Sequence, residues 1–286
     1  MISIAHLGPA GTNAETAALA YARWLAREKG EESLLCPYPS IAKTVYGVAQ
    51  GEVNLAVVPV ENSTEGSVAV TLDTLWELDK LQIQQELILP ISHALFSRGA
   101  SLQGIKTVYS HPQALAQCQK WLESSLPLAQ LIPTNSTTEA LQLINSEPTA
   151  GAIAAPRAGK LYDLPMIAGG INDYPDNCTR FWVLGMNVST EGSRIFLAFS
   201  VPKNVPGALV KPLQVFAQRG INLSRIESRP TKRSLGEYLF FMELEANSTD
   251  FPTQEALREL AAHTEVLKIF GNYEVLLIQA REVADF

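Results

Sequence analysis

One short stretch constrains the fold more than any other: Leu55-Ala-Val-Val-Pro-Val-Glu-Asn-Ser-Thr-Glu-Gly-Ser-Val68. The apolar, β-branched run from Leu55 to Val58 reads as a buried strand that Pro59 ends. After it, Val68, Leu72 and Leu75 recur at helical spacing. Between the two lie Asn62, Ser63, Thr64 and Gly66, residue types that cap helices and leave backbone N–H groups free to face an anion. Two readings stay open on this stretch alone: an anion cradle at a strand-to-helix junction, or a capped helix and nothing more.

The same alternation runs through the first two thirds of the chain and predicts an α/β unit with mostly parallel sheets. Strands are expected over Ile2–Leu7, Leu34–Tyr38, Lys106–Tyr109, Gln130–Pro133, Ala152–Ala154 and Phe181–Gly185. Thr12 with Glu15, Ser40, Ser136, and Ser110 with Gln113 each read as helix starts, the first and last as capping boxes. The long β-prone segment Gln82–Phe96 is expected to cross between two lobes. In open α/β sheets ligands sit outside the carboxyl ends of the strands, so the junctions at Gly11/Thr12, Asn62–Ser67 and Ser110 are expected to converge on a cleft.

Near Thr190-Glu-Gly192 the pattern changes. Strand Ile195–Val201, a helix to Gln218, strands Ile221–Glu227 and Tyr238–Glu245, helix Thr253–His263 and strand Val266–Ile269 follow, with a strand extension around Val275–Ile278. This βαββαβ order is that of a ferredoxin-like domain. Order alone assigns no function.

A net charge of −7 gives no electrostatic footprint for nucleic acid or an anionic membrane, so an anionic ligand would depend on local donors. Cys36, Cys118 and Cys178 lie far apart without Cys-x-x-Cys spacing, which argues against a metal site or a disulfide framework. No signal-like start or membrane-length apolar run is present, and a cytoplasmic protein is expected.

Gly8-Pro-Ala-Gly-Thr12, Val58-Pro-Val-Glu-Asn-Ser-Thr-Glu-Gly-Ser67, Ser110-His-Pro-Gln113 and Asn177-Cys-Thr-Arg-Phe181, in this order, resemble the prephenate dehydratase family. Gly207-Ala-Leu209 and Glu227-Ser-Arg-Pro230 resemble the regulatory ACT domain that follows in those enzymes. Where the family shows an aromatic and a Ser after Gly11-Thr12, this chain has Asn13 and Ala14. The resemblance implies a two-lobed catalytic domain like that of periplasmic solute-binding proteins over 1–187, with lobes of about 1–80 plus 165–187 and 81–164. It implies an ACT domain over 194–281, no metal, no cofactor, and a homodimer or homotetramer. No chorismate mutase-like segment precedes Met1, so a monofunctional enzyme is expected.

The implied reaction converts prephenate to phenylpyruvate with loss of carbon dioxide and water. Thr179 is then the group that assists departure of the ring hydroxyl; the plain alternative is a strand-start Thr with a satisfied hydroxyl. Arg180 would pair with a substrate carboxylate, or be a surface Arg. Asn62, Ser63 and Thr64 would supply donors, with Glu61 either orienting them or standing as an exposed loop charge, and Gly11, Thr12 and Phe181 would complete the near lobe. Ser110, Gln113 and Gln117, at i, i+3 and i+7 of one helix, would line the far lobe. His111 beside a helix-start Pro reads as structural, and His6, His93 and His263 are expected to carry no function. In the ACT-like unit, Gly207, Ala208, Leu209, Asn222, Leu223, Glu227, Ser228, Arg229 and Pro230 would bind phenylalanine as effector; the plain alternative is a dimerisation domain with no ligand. Arogenate dehydratase is a rival with a different substrate, and a non-catalytic amino-acid or organic-acid sensor is a rival of another class.

Overall fold

The computed structural model describes residues 1–99 and 101–280, one residue short of the expected end of the regulatory unit at 281. The first lobe carries β1 (Ile2–Leu7), α1 (Asn13–Lys29), β2 (Ser33–Tyr38), α2 (Ile41–Ala49), β3 (Leu55–Asn62), β4 (Gly66–Ser67), α3 (Ala69–Glu77) and β5 (Gln82–Pro90). The chain then enters a second lobe: β6 (Ala94–Phe96), β7 (Thr107–Ser110), α4 (Pro112–Ala116), α5 (Gln119–Ser125), β8 (Gln130–Pro133), α6 (Thr137–Leu143), β9 (Ala150–Ala154), α7 (Pro156–Leu161) and β10 (Met166–Gly169). It returns to the first lobe as β11 (Cys178–Gly185). A third unit follows, with β12 (Arg194–Ser200), α8 (Val210–Ala217), β13 (Asn222–Pro230), β14 (Tyr238–Glu245), α9 (Phe251–Ala261), β15 (Val266–Tyr273) and β16 (Val275–Leu277).

The helix starts are made by the expected side chains. Thr12, Ser40 and Ser136 each accept a bond from the backbone N–H three residues on. Gly30 closes α1 with a left-handed backbone at φ 67°, which a glycine adopts without steric cost.

Both lobe sheets are mixed rather than mostly parallel. The first has the order β16-β5-β11-β3-β1-β2 with β4 beside β3; the second is β10-β6-β9-β7-β8. In the first, β1 runs parallel to β2 and β3, but β11 is antiparallel to both β3 and β5. The reason is connectivity: β11 comes back from the other lobe and enters the sheet from the cleft side. Two crossings, 91–93 and 170–177, therefore join the lobes, and they are bonded to each other. Ile91 N donates to Asn177 O (2.8 Å), and Ile171 N to His93 O (3.1 Å).

Pro59 does not end its strand, because β3 continues to Asn62. Opposite it, Arg180 pairs with Glu61 and Phe181 with Pro59, so Val60 is an extra residue and the ladder bulges there. A bulge is one of the few places where a sheet tolerates proline.

The third unit has a sheet of order β13-β14-β12-β15 that buries both faces. One face, with Ile195, Leu197, Phe199, Met242 and Leu244, packs on Val215 and Phe216 of α8 and on Ala256 and Leu260 of α9. From the other, Phe196, Ala198 and Phe241 join the core of the first lobe with Leu72, Leu75 and Trp182. The Trp182 and Phe196 rings are 4.4 Å apart between centroids. Burying each such side chain stabilises by about 1.5–3 kcal/mol, so the regulatory-type unit is cored into the lobe rather than tethered to it. The strand at Val275–Leu277 leaves this unit and pairs with β5 of the first sheet. Gly271 permits that close approach, since a Cβ there would stand 2.7 Å from the Ile83 carbonyl oxygen.

Candidate active site

The turn after β3 is a hairpin tip, not a helix N-terminus. Glu61 pairs with Ser67 and Asn62 with Gly66, while α3 begins only at Ala69 and lacks a side-chain cap. Asn62 Oδ1 accepts from the backbone N–H groups of Thr64 (3.0 Å) and Glu65 (3.2 Å) and from the Thr64 hydroxyl (2.6 Å). The expected anion cradle is thus closed by its own asparagine, whose short side chain bonds the backbone two residues on.

That closure fixes the direction of everything beyond it. With Oδ1 used as acceptor, Asn62 Nδ2 faces the other way and donates to Thr179 Oγ1 (2.9 Å), Asn177 Oδ1 (2.9 Å) and Cys178 O (3.2 Å). Asn177 Nδ2 in turn donates to Gln117 Oε1 (2.9 Å) of the second lobe. Gln117 Nε2 then points back across the lobes towards Asn62 Oδ1 (3.4 Å) and Glu65 Oε1 (3.5 Å). Four side chains from three separate parts of the chain converge here, and the groups are amides and hydroxyls with one carboxylate, Glu65, at the rim.

Thr179 is nearly buried, at 9% exposure, and its oxygen accepts a hydrogen bond from Asn62. Among the described residues no acceptor is bonded to its own O–H, so that proton is available to a ligand in the cleft. A hydroxyl has one donor and two lone pairs, and Asn62 occupies only a lone pair.

Other expected site residues serve the site indirectly or lie elsewhere. Ser63 pins the hairpin tip to β11: its hydroxyl donates to Asn177 Oδ1 (3.1 Å) and accepts from Cys178 N (3.0 Å). Thr64 is spent on Asn62. Ser110 is fully buried on β7 and donates to Ile153 O (2.7 Å), so it does not cap the following helix. His111 does, accepting from Gln113 N through Nδ1. Ser110, Gln113 and Gln117 consequently do not share one helix face; Gln113 is exposed on α4, and Gln117 ends that helix and is buried. Phe181 is packed in the core against Val57 and Leu87.

Glu61 and Arg180 are the largest correction. They pair with each other one step along from Asn62 and Thr179, and successive side chains of a strand point to opposite faces. Arg180 therefore faces away from Thr179, towards the third sheet. Its guanidinium donates to Glu61 (3.0 Å), to Glu86 (3.1 and 2.5 Å) and to Glu243 of β14. Each nitrogen of its fork already carries a carboxylate.

Gly11 and Thr12 lie where the lobes touch. Thr12 caps α1 and donates to Leu7 O, and a Cβ on Gly11 would meet Ala158 and Thr138 of the second lobe at 3.1 and 3.2 Å. Glu15 accepts from Gly11 N (2.7 Å) and from Arg157 of α7, an ion pair across the lobes. Neither this pair nor Asn177 is among the site residues expected from the sequence, and His93 is expected there to carry no function. The Asn177 signal was there, since it opens the Asn-Cys-Thr-Arg-Phe motif that singled out Thr179.

Comparison with known proteins agrees with this layout. The family model described as prephenate dehydratase matches residues 4–189, and that of the ACT domain matches residues 195–262. The chain belongs to the prephenate dehydratase family. It is 38% identical over 282 residues to the prephenate dehydratase of Lactococcus lactis subsp. cremoris, covering 96% of this chain and 98% of that one. A crystal structure of prephenate dehydratase from Arthrobacter aurescens in complex with L-Phe superimposes with a TM-score of 0.84 at 32% identity, covering 98% of this chain and 91% of that one. A structure described as GqqA, a novel type of quorum quenching acylase, superimposes with a TM-score of 0.78 at 26% identity, covering 96% and 98%. In family terms, the hairpin tip and β11 carry the dehydratase motifs, and the third sheet is the ACT domain.

The ACT motif residues divide between two faces of that sheet. Glu227 pairs with Phe241 and Arg229 with Leu239, on the face towards the first lobe. Arg229 forms a two-pronged bond to Asp73 of α3 at 2.8 and 2.9 Å, and Glu227 accepts from Arg225 at 3.0 Å. Ser228, Pro230 and Asn222 are exposed, and Leu223 packs on the helix side of the sheet. Gly207, at φ 80°, turns the chain so that Ala208 and Leu209 lead into α8.

Proposed function

We propose that this chain is a prephenate dehydratase in which the Thr179 hydroxyl assists departure of the ring hydroxyl. The observation that carries this reading is the direction of the Asn62–Thr179 bond: Asn62 donates, so the threonine proton is left to the ligand. The reaction breaks two bonds of the ring. The ring carboxylate leaves as carbon dioxide, its bonding pair enters the ring, and the opposite C–O pair leaves with the hydroxyl, which takes up a proton from solvent and departs as water. Aromatisation drives the process, and the enzyme's task is to hold the dianion and ease out a poor leaving group. A threonine hydroxyl is a weak acid, so it stabilises the departing oxygen by a hydrogen bond rather than by releasing a free proton.

Asn62, Gln117 and Asn177 hold the reacting end of the cleft. The same Thr179 geometry is unfavourable for acyl transfer. A hydroxyl that attacks an amide needs a base, and the described partner of Thr179 is an amide donor.

Phenylalanine is the proposed effector, bound by the ACT domain around Gly207–Leu209 and the Asn222–Pro230 strand. β13 is the edge of its sheet with Ile226 48% exposed, which favours a homo-oligomer formed through that edge, dimer or tetramer. No helix among the described residues is long and apolar enough to cross a membrane.

The test is turnover of prephenate and arogenate side by side, followed at the absorbance of phenylpyruvate and by amino-acid analysis for phenylalanine. Faster turnover of prephenate is expected. Preference for arogenate would change the substrate and keep the chemistry, whereas no turnover of either would make the chain a sensor.

A further inference from the structure

His93 was expected to carry no function, yet it stands where the two lobe crossings meet the end of α4. It lies on the first lobe crossing, its backbone N–H donating to Asn172 Oδ1 (2.7 Å) of the second crossing, whose Nδ2 returns to Ile91 O (3.1 Å). Its ring Nε2 is 2.9 Å from Gln117 Oε1. The side chain is 5% exposed, and Nδ1 has no hydrogen-bond partner among the described residues.

The proton on this ring is determined by groups that cannot be turned round. The backbone N–H groups of Thr64 and Glu65 can only donate, so the atom of Asn62 that meets them is its oxygen. Asn62 Nδ2 must then face Asn177 Oδ1, which turns Asn177 Nδ2 to Gln117 and makes the atom it meets there the oxygen Oε1. An amide oxygen only accepts, so the His93 nitrogen against it must be N–H. The chain of donors therefore begins at His93 Nε2–H and Asn177 and ends with Asn62 on Thr179. Flipping Gln117 would set its oxygen against Asn62 Oδ1 and the Glu65 carboxylate, and His93 is one of two donors that prevent it.

We propose that His93 is a positioning residue for the dehydration: its Nε2–H tautomer locks the amide of Gln117, which ties the second lobe to Asn177 and Asn62 beside Thr179. Burial disfavours the imidazolium and lowers the pKa of His93, although the bond to Gln117 works against this, and a neutral ring with one defined N–H fits that role. The inference rests on the dehydratase reading for its kinetic consequence but not for the tautomer.

The experiment combines three variants with one spectroscopic measurement. His93→Leu removes the donor and is expected to lower kcat for prephenate about 10- to 100-fold, part of the 10²–10⁴ that assistance to a leaving group is worth, with KM changed less than about threefold. His93→Gln, whose amide nitrogen can reach the same acceptor, is expected to restore kcat to within about threefold of the natural protein. Placed on Thr179→Val, His93→Leu is expected to cost less than about twofold, because residues that act as a unit are not additive. A histidine that merely fills space would give equal losses in both backgrounds and no rescue by Gln. His93→Leu within about twofold of the natural kcat, no advantage of Gln over Leu in equally stable variants, or multiplicative effects with Thr179→Val would each overturn the proposal. Should His93→Leu fail to fold, ¹⁵N NMR of the natural protein decides: the Nε2–H tautomer between about pH 6 and 8 is expected, and an Nδ1–H tautomer or an imidazolium there refutes it. Absence of prephenate turnover by the natural protein would fail the dehydratase reading and leave the tautomer result standing on its own.

Discussion

Arg180 donates from its guanidinium to Glu243 across the boundary between the first sheet and the ACT sheet, one residue along the strand from Thr179. Glu243 is fully buried and is also bonded by Arg194 (2.7 Å), Ser224 (2.7 Å) and Tyr273 (2.9 Å). Burial alone would raise its pKa, but the Arg180 charge, the Ser224 and Tyr273 bonds and the Arg194 charge outweigh it and hold the carboxyl below the usual glutamate range. Replacing Arg180 by Met would leave Glu86 and Glu243 as buried carboxylates short of their shared partner. Breaking a buried pair from one side costs about 3–5 kcal/mol, and a loss of that order is expected in urea unfolding. The KM of the folded fraction should stay near its natural value. A variant as stable as the natural protein with a strongly raised KM would put the guanidinium back in the cleft.

Thr179→Val removes the free proton and keeps the shape. The donor Asn62 Nδ2 retains Asn177 Oδ1 and Cys178 O as acceptors, so little stability should be lost. The expected result is a kcat lower by about 10² to 10⁴ with substrate binding kept, since the lost bond matters in the transition state and little in the ground state. Thr179→Ser restores the hydroxyl and should recover most of the rate. An unchanged kcat in the valine variant would remove Thr179 from the chemistry.

The contrast between Thr179 and Arg180 shows what the sequence could and could not reveal. Hydrophobic periodicity and cap residues located the strands and helices, because those signals are local: Thr12, Ser40 and Ser136 each cap the helix that follows. The motif pointed to Thr179 and Asn62, and they are bonded at 2.9 Å. What it could not reveal was which way each side chain faces, because a strand starting at Cys178 rather than Phe181 sends Thr179 and Arg180 to opposite sides. One partner of Arg180, Glu243, is 63 residues away in another sheet, and no spacing rule reaches that far. His93 was passed over for the same reason: its role depends on Gln117 and on a crossing between lobes.

Asp73 on α3 links the first lobe to the ACT strand through Arg229 and through Lys232 at 2.9 Å. Burial on its own would raise its pKa, but the bonds from Arg229 and Lys232 and their charges prevail and hold the carboxyl below the usual aspartate range. A carboxyl lowered on folding contributes stability that is present above its unfolded pKa of about 3.9 and is lost as pH falls through the folded value. Asp73→Asn should therefore unfold more easily than the natural protein at neutral pH, by about 1 kcal/mol or less for a partly solvated pair. The difference should shrink as pH is lowered below about 4 and vanish once Asp73 is protonated in both states. Thermal unfolding of both proteins from neutral pH to about pH 3 checks this; a gap that persists in acid would assign the loss to packing rather than charge.

Phenylalanine binding makes the last expectation, and the sheet's two faces sharpen it. Arg225 and Arg229 are engaged with the first lobe, Arg225 through Ser67 of the hairpin that carries Asn62, and Glu227 holds Arg225 from its own strand. An amino acid binding near Gly207 and the exposed side of β13 would therefore act on a strand whose opposite face holds the hairpin of the site. A ligand that binds only the folded protein stabilises it by about 2.7 kcal/mol at a hundredfold excess over its dissociation constant. L-phenylalanine is accordingly expected to raise the unfolding temperature and to lower prephenate turnover over the same concentration range, with D-phenylalanine weaker in both. Arg225→Met, which cuts the bond to Ser67, should reduce the inhibition more than the calorimetric affinity, because coupling and binding are separate free energies. Calorimetric titration alongside the activity assay separates them: no heat at millimolar phenylalanine would discard the effector, and inhibition unaltered in Arg225→Met would move the route of coupling elsewhere.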